Sequence, residues 1–284
     1  MPEGPLLLID VSGLAYRAVY TTGGLSHGGI GTGVVFGVVR TVMDLMDLFS
    51  TDRAAWCFDG GYQKRLEISP VYKRHRVDVP STGEGQARAE AREAVWEQTR
   101  MMYREWLPLA GFGNLFRRKG YEADDVIAAV CRDWGGQKVI VSGDNDLWQL
   151  IDGTTCIWRA KGRLVTSRSF VDEWGIDPTM WADVKAIAGC PGDNVIGVRG
   201  VGEKTAAKFL AGRLKPESRA YRAIVENNDV WRRNLELVRL PFPGVGRFEL
   251  REDDSVDWEP LLDRLGMGSI RRDGKYGAKQ GKVR

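Results

Sequence analysis

Histidine is nearly absent: His27 and His75 are the only two in 284 residues. An imidazole-based triad, or most transition-metal hydrolase centres, is hard to build from so few. Cysteine is scarce as well. Cys57, Cys131, Cys156 and Cys190 stand far apart without CxxC or Cys/His spacing. That argues against a disulfide framework and a zinc site, and fits a reducing, cytoplasmic compartment. Long apolar runs are missing too. The longest, around Val34–Val39, is far too short to cross a bilayer, and no charged n-region with an apolar h-region opens the chain. Membrane and secretory readings are therefore poor.

What is present is ordinary for a globular chain, with 43% hydrophobic and 28% charged residues. This length buries one large core or two modest ones. The net charge of +3 hides an uneven distribution. Residues 271–284 carry six Lys/Arg against one Asp, leaving the preceding 270 residues at about −2. A nearly neutral body can still hold an acidic cavity and a basic face.

Strands are expected at Leu6–Ile9, Ala54–Phe58, Phe112–Arg118 and Lys138–Ser142, and helices at Val34–Phe49, at 86–107 and at Glu122–Trp134. Strands alternating with helices predict an α/β fold with a largely parallel sheet. The glycine-crowded stretch 23–33 reads as a mobile loop. Residues 61–80 read as a basic, turn-rich segment with five Lys/Arg. From about Trp174 the pattern turns helical, with segments at Met180–Ala188, Glu203–Ala211, Glu217–Asn227 and Trp231–Leu237, as in a smaller second domain. The boundaries are 1–172 for the first domain, 173–270 for the helical one, and 271–284 for a basic, disordered tail that either adds DNA affinity or only solubilises.

Acids follow three of the apolar runs: Asp10, Asp59, and the pair Asp144 and Asp146. In an open parallel sheet the C-terminal strand ends line the ligand crevice. Glu122, Asp124 and Asp125 open a helix and could face the same place. Any one of these reads equally as a turn residue, an N-cap or a dipole partner. Together they would repel one another unless cations neutralise them. Hard divalent ions held by carboxylate oxygens are the natural solution, and two such ions suit phosphodiester hydrolysis. The run Gly197–Thr205 is not a P-loop, because Glu203 separates its last glycine from Lys204 and it follows a helix. It reads instead as a glycine-rich turn between helices, able to meet a DNA phosphate or serving only as a turn. Most of the ten tryptophans read as packing residues.

The segments LLLIDVSGLAYRA, WCFDGGYQKRLEISPVYKRHR, GYEADDVIAAV, VIVSGDNDLWQLI and DNVIGVRGVGEKTAAKFL resemble, in order and spacing, the 5′-nuclease superfamily. Its members are flap endonucleases, phage 5′–3′ exonucleases and the nuclease domain of bacterial polymerase I. The resemblance runs from about Leu6 to Leu265 and is nearest the phage type, which would place the chain in a host cytoplasm. It implies a PIN-like parallel sheet flanked by helices, a helical arch over about residues 72–107, and a helix-three-turn-helix (SAM-like) element downstream. It also implies two Mg²⁺ ions, replaceable by Mn²⁺. The first would use Asp10, Asp59, Glu122 and Asp124, the second Asp125, Asp144, Asp146 and Asp193. Lys73 and Arg76 match basic residues at the base of the arch, with Lys73 on the scissile phosphate and Tyr72 beside it. Arg65 matches a DNA-backbone contact. The hairpin from Gly197 through Gly200 to Gly202, with Lys204, Thr205 and Lys208, would bind duplex DNA, with K⁺ held by its carbonyls. The implied substrates are 5′ flaps, 5′ duplex ends and RNA primers on DNA, cut by a monomer.

One departure stands out. Many polymerase-type members have Gly-Asp-x-x-Asp-Asn where this chain has Gly189-Cys190-Pro191-Gly192-Asp193-Asn194. A neutral thiol is a poor Mg²⁺ ligand. The alternative expectation is therefore a branched-DNA binder whose impaired second site cleaves weakly or not at all.

Overall fold

The computed structural model describes residues 4–74, 83–159, 162–252 and 254–272. Its strands are β1 (Leu6–Asp10), β2 (Ser26–His27), β3 (Ile30–Gly31), β4 (Ala54–Phe58), β5 (Leu115–Arg117), β6 (Lys138–Val141), β7 (Thr155–Arg159), β8 (Arg163–Val165), β9 (Gly189–Cys190) and β10 (Val195–Ile196). The α-helices begin with α1 (Val11–Thr22), α2 (Gly33–Phe49), α3 (Gln63–Ile68), α4 (Gly83–Met101), α5 (Leu107–Leu109), α6 (Ala123–Asp133) and α7 (Ser167–Trp174). They continue with α8 (Trp181–Ala188), α9 (Glu203–Leu210), α10 (Arg219–Glu226), α11 (Asn228–Val238), α12 (Glu259–Arg264) and α13 (Gly268–Arg272). Among the described residues no helix is long and apolar enough to cross a membrane.

The chain forms two compact units, each assembled from separate stretches. One comprises Met1–Asp59, Pro80–Arg117 and Phe248–Arg284, the other Gly60–Val79 and Arg118–Arg247. These units cut across the linear division expected at residue 172. Both are α/β, with parallel pairing dominant in the first and mixed pairing in the second. In the first, β1 pairs parallel with β4 and β4 with β5. In the second, β6 pairs parallel with β7, and β8 closes antiparallel on β7.

In the first unit every residue of β1 and β4 is buried, as continuous apolar runs in a parallel sheet require. The expected loop at 23–33 contains the β2–β3 hairpin, and α1 lies between β1 and that loop. Helix α4 runs on through a π-turn at Met102–Trp106 into α5. Its buried Gln98 reaches α2, where Oε1 accepts from the Val34 and Val35 N–H groups at 3.0 and 3.1 Å. These are first-turn donors that α2 cannot satisfy itself, and Thr32 before them makes no side-chain cap. Farther along, Asn114 exchanges hydrogen bonds with the Arg251 backbone, and Phe112 meets Trp258 edge-on at 4.9 Å. Those contacts bring the segment after Phe248 back beside β5.

The second unit is centred on aromatics and α8. Trp181 packs against Trp174, Trp148 and Phe170 at ring-centroid distances of 4.6, 4.9 and 5.5 Å. On the far end of α8, Ala186, Cys190, Val195, Leu237 and Val238 enclose Tyr72 in a second apolar cluster. Strands β7 and β8 and helix α7 were not anticipated from the sequence.

Replacing Gln98 with Leu keeps the volume but strands two buried donors. A stability loss of about 3 kcal/mol is expected in urea unfolding, since each orphaned donor costs roughly 1–3 kcal/mol. A loss below 0.5 kcal/mol would show that the α4–α2 bridge is incidental.

Candidate active site

In the first unit, Asp10 and Asp59 sit at the C-terminal ends of adjacent strands β1 and β4. Asp10 is nearly buried and caps α1, its Oδ1 accepting from Gly13 N–H at 2.9 Å. A Cβ on residue 13 would overlap that carboxylate, so the glycine makes room for it. Asp59 is exposed, and its main-chain carbonyl accepts from Arg117.

The second unit holds the other acids, and α6 organises several of them. Glu122 is its N-cap, with Asp125 three residues on. Asp125 is completely buried, and all of its bonding capacity is committed. It receives Arg65 bidentately at 2.6 and 2.8 Å, the Glu122 N–H at 3.0 Å and the Phe242 N–H at 3.0 Å. Arg65, 3% exposed, also donates to the Leu237 carbonyl at 2.9 Å and lies over the Phe242 ring at 4.7 Å. Arg65, matched in sequence to a DNA-backbone contact, is an interior counter-ion here, and the Asp125 oxygens face Arg65 and main chain.

Glu122 is where the basic segment arrives. Tyr72 Oη donates to Glu122 Oε2 at 2.8 Å and lies 3.3 Å from Asp193 Oδ2. The Lys73 ammonium pairs with Glu122 Oε1 and stands 3.5 Å from Asp193 Oδ1. Lys73 adopts φ +53°, an unusual backbone for a non-glycine residue, and its N–H donates to the Asp193 carbonyl at 3.0 Å. With that turn, both neighbouring side chains reach one carboxylate. Burial alone would raise the Glu122 pKa, but Lys73 and Arg65 outweigh it and hold the group below the usual range. Burial and the same carboxylate push the Tyr72 phenol far up, so it stays protonated and donates. Arg76, expected beside Lys73, lies outside the described residues, as do positions 75–82 of the expected arch and positions 273–284 of the tail.

The third group follows β6. Asp144 is exposed, takes the Asp146 N–H on Oδ1 at 2.8 Å and donates its own N–H to Ser142 Oγ at 3.0 Å. Asp146 is held on Oδ1 by Lys185 at 2.9 Å and faces the Cys190 thiol, whose Sγ lies 3.9 Å from Oδ2. Burial and the adjacent Asp144 raise the Asp146 pKa despite Lys185. The Cys190 thiol is raised too, by burial and then by Asp146, so it is present as SH. Lys185 also bonds Glu203 at the start of α9 at 2.9 Å. Sequence reading missed both. The available signal was a lysine one turn after Trp181 in a mostly apolar helix.

Among the described residues, no three His, Cys, Asp or Glu side chains are close enough to chelate an ion. Lysines rest on the carboxylates instead. The donor chemistry still fits a hard divalent cation: Asp144 and Asp146 are oxygen donors whose mutual repulsion a cation would relieve. Half-buried Asp124 and Asp193 supply further oxygens.

At the hairpin, Gly197 has a packing role, because a Cβ there would overlap Ala188 and Gly189. Gly200, at φ +78°, and Gly202, the N-cap of α9, have open space where a side chain would stand. Lys204 and Lys208 are exposed on α9, and Thr205 is half-buried. An open helix N-terminus with lysines beside it suits an anion.

Parallel α/β units that bring acids to strand ends and a helix start, with lysines and a protonated tyrosine among them, define a class: the α/β nucleases. The chain's relatives narrow it. Residues 5–175 match the 5′–3′ exonuclease N-terminal resolvase-like domain, and the chain belongs to that 5′–3′ exonuclease family of nucleases. It is 30% identical to thermostable DNA polymerase I of Thermus thermophilus over 95% of its own length, and spans about a third (33%) of that polymerase. Its fold matches bacteriophage T5 5′-exonuclease with bound zinc, at TM-score 0.71, 21% identity and coverage of 94% and 98% of the two chains. It also matches the T5 D15 flap endonuclease in a pseudo-enzyme-product complex with DNA and metal ions, at TM-score 0.67, 22% identity and coverage of 84% and 89%.

Two outcomes test this account. Asp125→Asn should cost roughly 3–5 kcal/mol in urea unfolding, because it leaves the Arg65 charge buried and unmatched. Glu122 titrates lower folded than its ordinary 4.5, so its stabilisation is complete above that pH and is lost as pH falls through the folded pKa. The wild type should therefore lose stability more steeply than Glu122→Gln between pH 5 and pH 3. Parallel curves would remove Glu122 from the acid response.

Proposed function

We propose that this chain is a divalent-metal-dependent, structure-specific 5′ nuclease that hydrolyses phosphodiester bonds at 5′ flaps and 5′ ends of DNA. The supporting observation is the Tyr72–Lys73 pair seated on Glu122 and Asp193, in a chain whose Asp144 and Asp146 repel each other. Mg²⁺ is the proposed ion, with Mn²⁺ able to substitute. Asp10, Asp59, Glu122 and Asp124 are the proposed holders of one ion, and Asp144, Asp146 and Asp193 of the other. When bound, the ions lower the pKa of water and stabilise the leaving oxygen.

The chain's own residues do the rest. Lys73 is a buried cation resting on Glu122 and Asp193, and it transfers to the scissile phosphate when substrate enters. Tyr72, permanently protonated, orients Glu122. Asp144 and Asp146 provide the negative field. Lys204 and Lys208 flank duplex phosphates at the open start of α9, which sets register without reading sequence. K⁺ at the hairpin carbonyls, RNA primers on DNA as further substrates, and action as a monomer in the cytoplasm belong to the same reading.

The test is cleavage of a 5′-labelled flap duplex, with product length read on a gel. Cutting near the flap junction is expected with Mg²⁺ and none with chelator. Lys73→Ala should lower turnover by roughly 100-fold or more, the scale for loss of one charge-stabilising group, with flap affinity kept. Binding without product in Mg²⁺ and Mn²⁺ alike would make Cys190 decisive and the chain a branched-DNA binder.

A further inference from the structure

The pair Asp144 and Asp146 flanks a residue that makes no ionic contact, Asn145, and the backbone of that residue is fixed from outside its own segment. Trp181, completely buried, donates its indole N–H to the Asn145 carbonyl at 2.6 Å. The same carbonyl accepts the Trp148 N–H at 3.1 Å, which starts the 3₁₀ turn Asp146–Leu150. One helical turn after Trp181, Lys185 reaches Asp146 Oδ1. Positions i and i+4 share a helix face, so a single face of α8 grips the segment twice, once by its main chain and once by its carboxylate.

We propose that Trp181 is a positioning residue for the carboxylate pair: its indole N–H fixes the Asn145 peptide, and thereby the directions in which Asp144 and Asp146 leave the chain toward a divalent cation. This rests on the metal-dependent reading above. A peptide free to rotate between two carboxylates would let them diverge, and hydrogen bonds that orient ligands from behind are worth 10- to 100-fold in metal affinity.

The aromatic cluster contains its own control. Trp174 lies 4.6 Å from Trp181 in the same cluster, yet its buried indole N–H has no hydrogen-bond partner among the described residues. Trp181→Phe and Trp174→Phe therefore remove similar volume from one core, and only the first removes a bond to Asn145.

The experiment measures Mn²⁺ binding to the full chain without DNA, by electron paramagnetic resonance of free Mn²⁺, for wild type and both variants. Thermal melting is recorded beside it. The expected result is that Trp181→Phe weakens Mn²⁺ binding about tenfold or more, whereas Trp174→Phe leaves it within twofold, with similar melting losses in the two. In flap cleavage, Trp181→Phe should raise the Mn²⁺ concentration needed for half-maximal rate while the KM for DNA stays unchanged at saturating Mn²⁺. Equal Mn²⁺ affinity in Trp181→Phe and wild type, or an equal loss in both variants, would overturn the role of the indole N–H. Absence of Mn²⁺ binding by the wild type would overturn the metal reading beneath it.

Discussion

The buried pair of Arg65 and Asp125 is the constraint on which the second unit depends. A guanidinium and a carboxylate removed from water lose several kcal/mol of solvation each, recovered only when geometry is good and every remaining donor and acceptor is matched. Here that condition is met at Asp125. Asp125 takes both guanidinium arms and two main-chain N–H groups, and Arg65 spends its remaining Nε donor on the Leu237 carbonyl. Because one of those N–H groups belongs to Glu122, the pair also decides where the N-cap of α6 points. Glu122 in turn receives Tyr72 and Lys73. The reactive end of the site is thus ordered through a structural ion pair that faces no solvent.

The charge arrangement has a common logic. Three acids of the second unit are matched by cations from other elements: Asp125 by Arg65 of α3, Glu122 by Lys73 after α3, and Asp146 by Lys185 of α8. Only the first match is fully buried and saturated. The other two each carry a lysine ammonium, a point charge on a flexible stem, with Glu122 also 3.2 Å from Arg65. Rigidity and exchangeability are divided between arginine and lysine accordingly.

Much of the scaffold was legible. The runs at Leu6–Ile9, Ala54–Phe58 and Lys138–Ser142 are wholly apolar except at their ends, and they became buried parallel strands. The acids after them were visible because a carboxylate at a strand end has few other reasons to recur. What pattern could not reveal was which charged residues turn inward. Arg65 sits in a basic, turn-rich stretch and reads as solvated, yet its partner is 60 residues away. Asp125 shares a first helical turn with Asp124, and nothing local says that one is saturated and the other half-open. Strands β7 and β8 escaped notice because TCIWR and RLV are short and mix polar and apolar residues. Gly197 read as a ligand-facing glycine for the same kind of reason: sequence records the missing side chain, not which neighbour needs the space.

The reach of Arg65 along the chain has a kinetic side. Its bond to Leu237 closes 172 residues, and that of Asp125 to Phe242 closes 117. Contacts of such long range form late, after the loop-closure entropy has been met. During synthesis from the N-terminus, Arg65 and Asp125 emerge well before the main chain that completes their shell. The stretch that defines the family, residues 5–175, therefore carries most of the acids but not the backbone that seats them. A nascent chain ending anywhere before residue 237 holds Arg65 and Asp125 in an unfinished interior, so the proposed site is complete only once the C-terminal helices have been made.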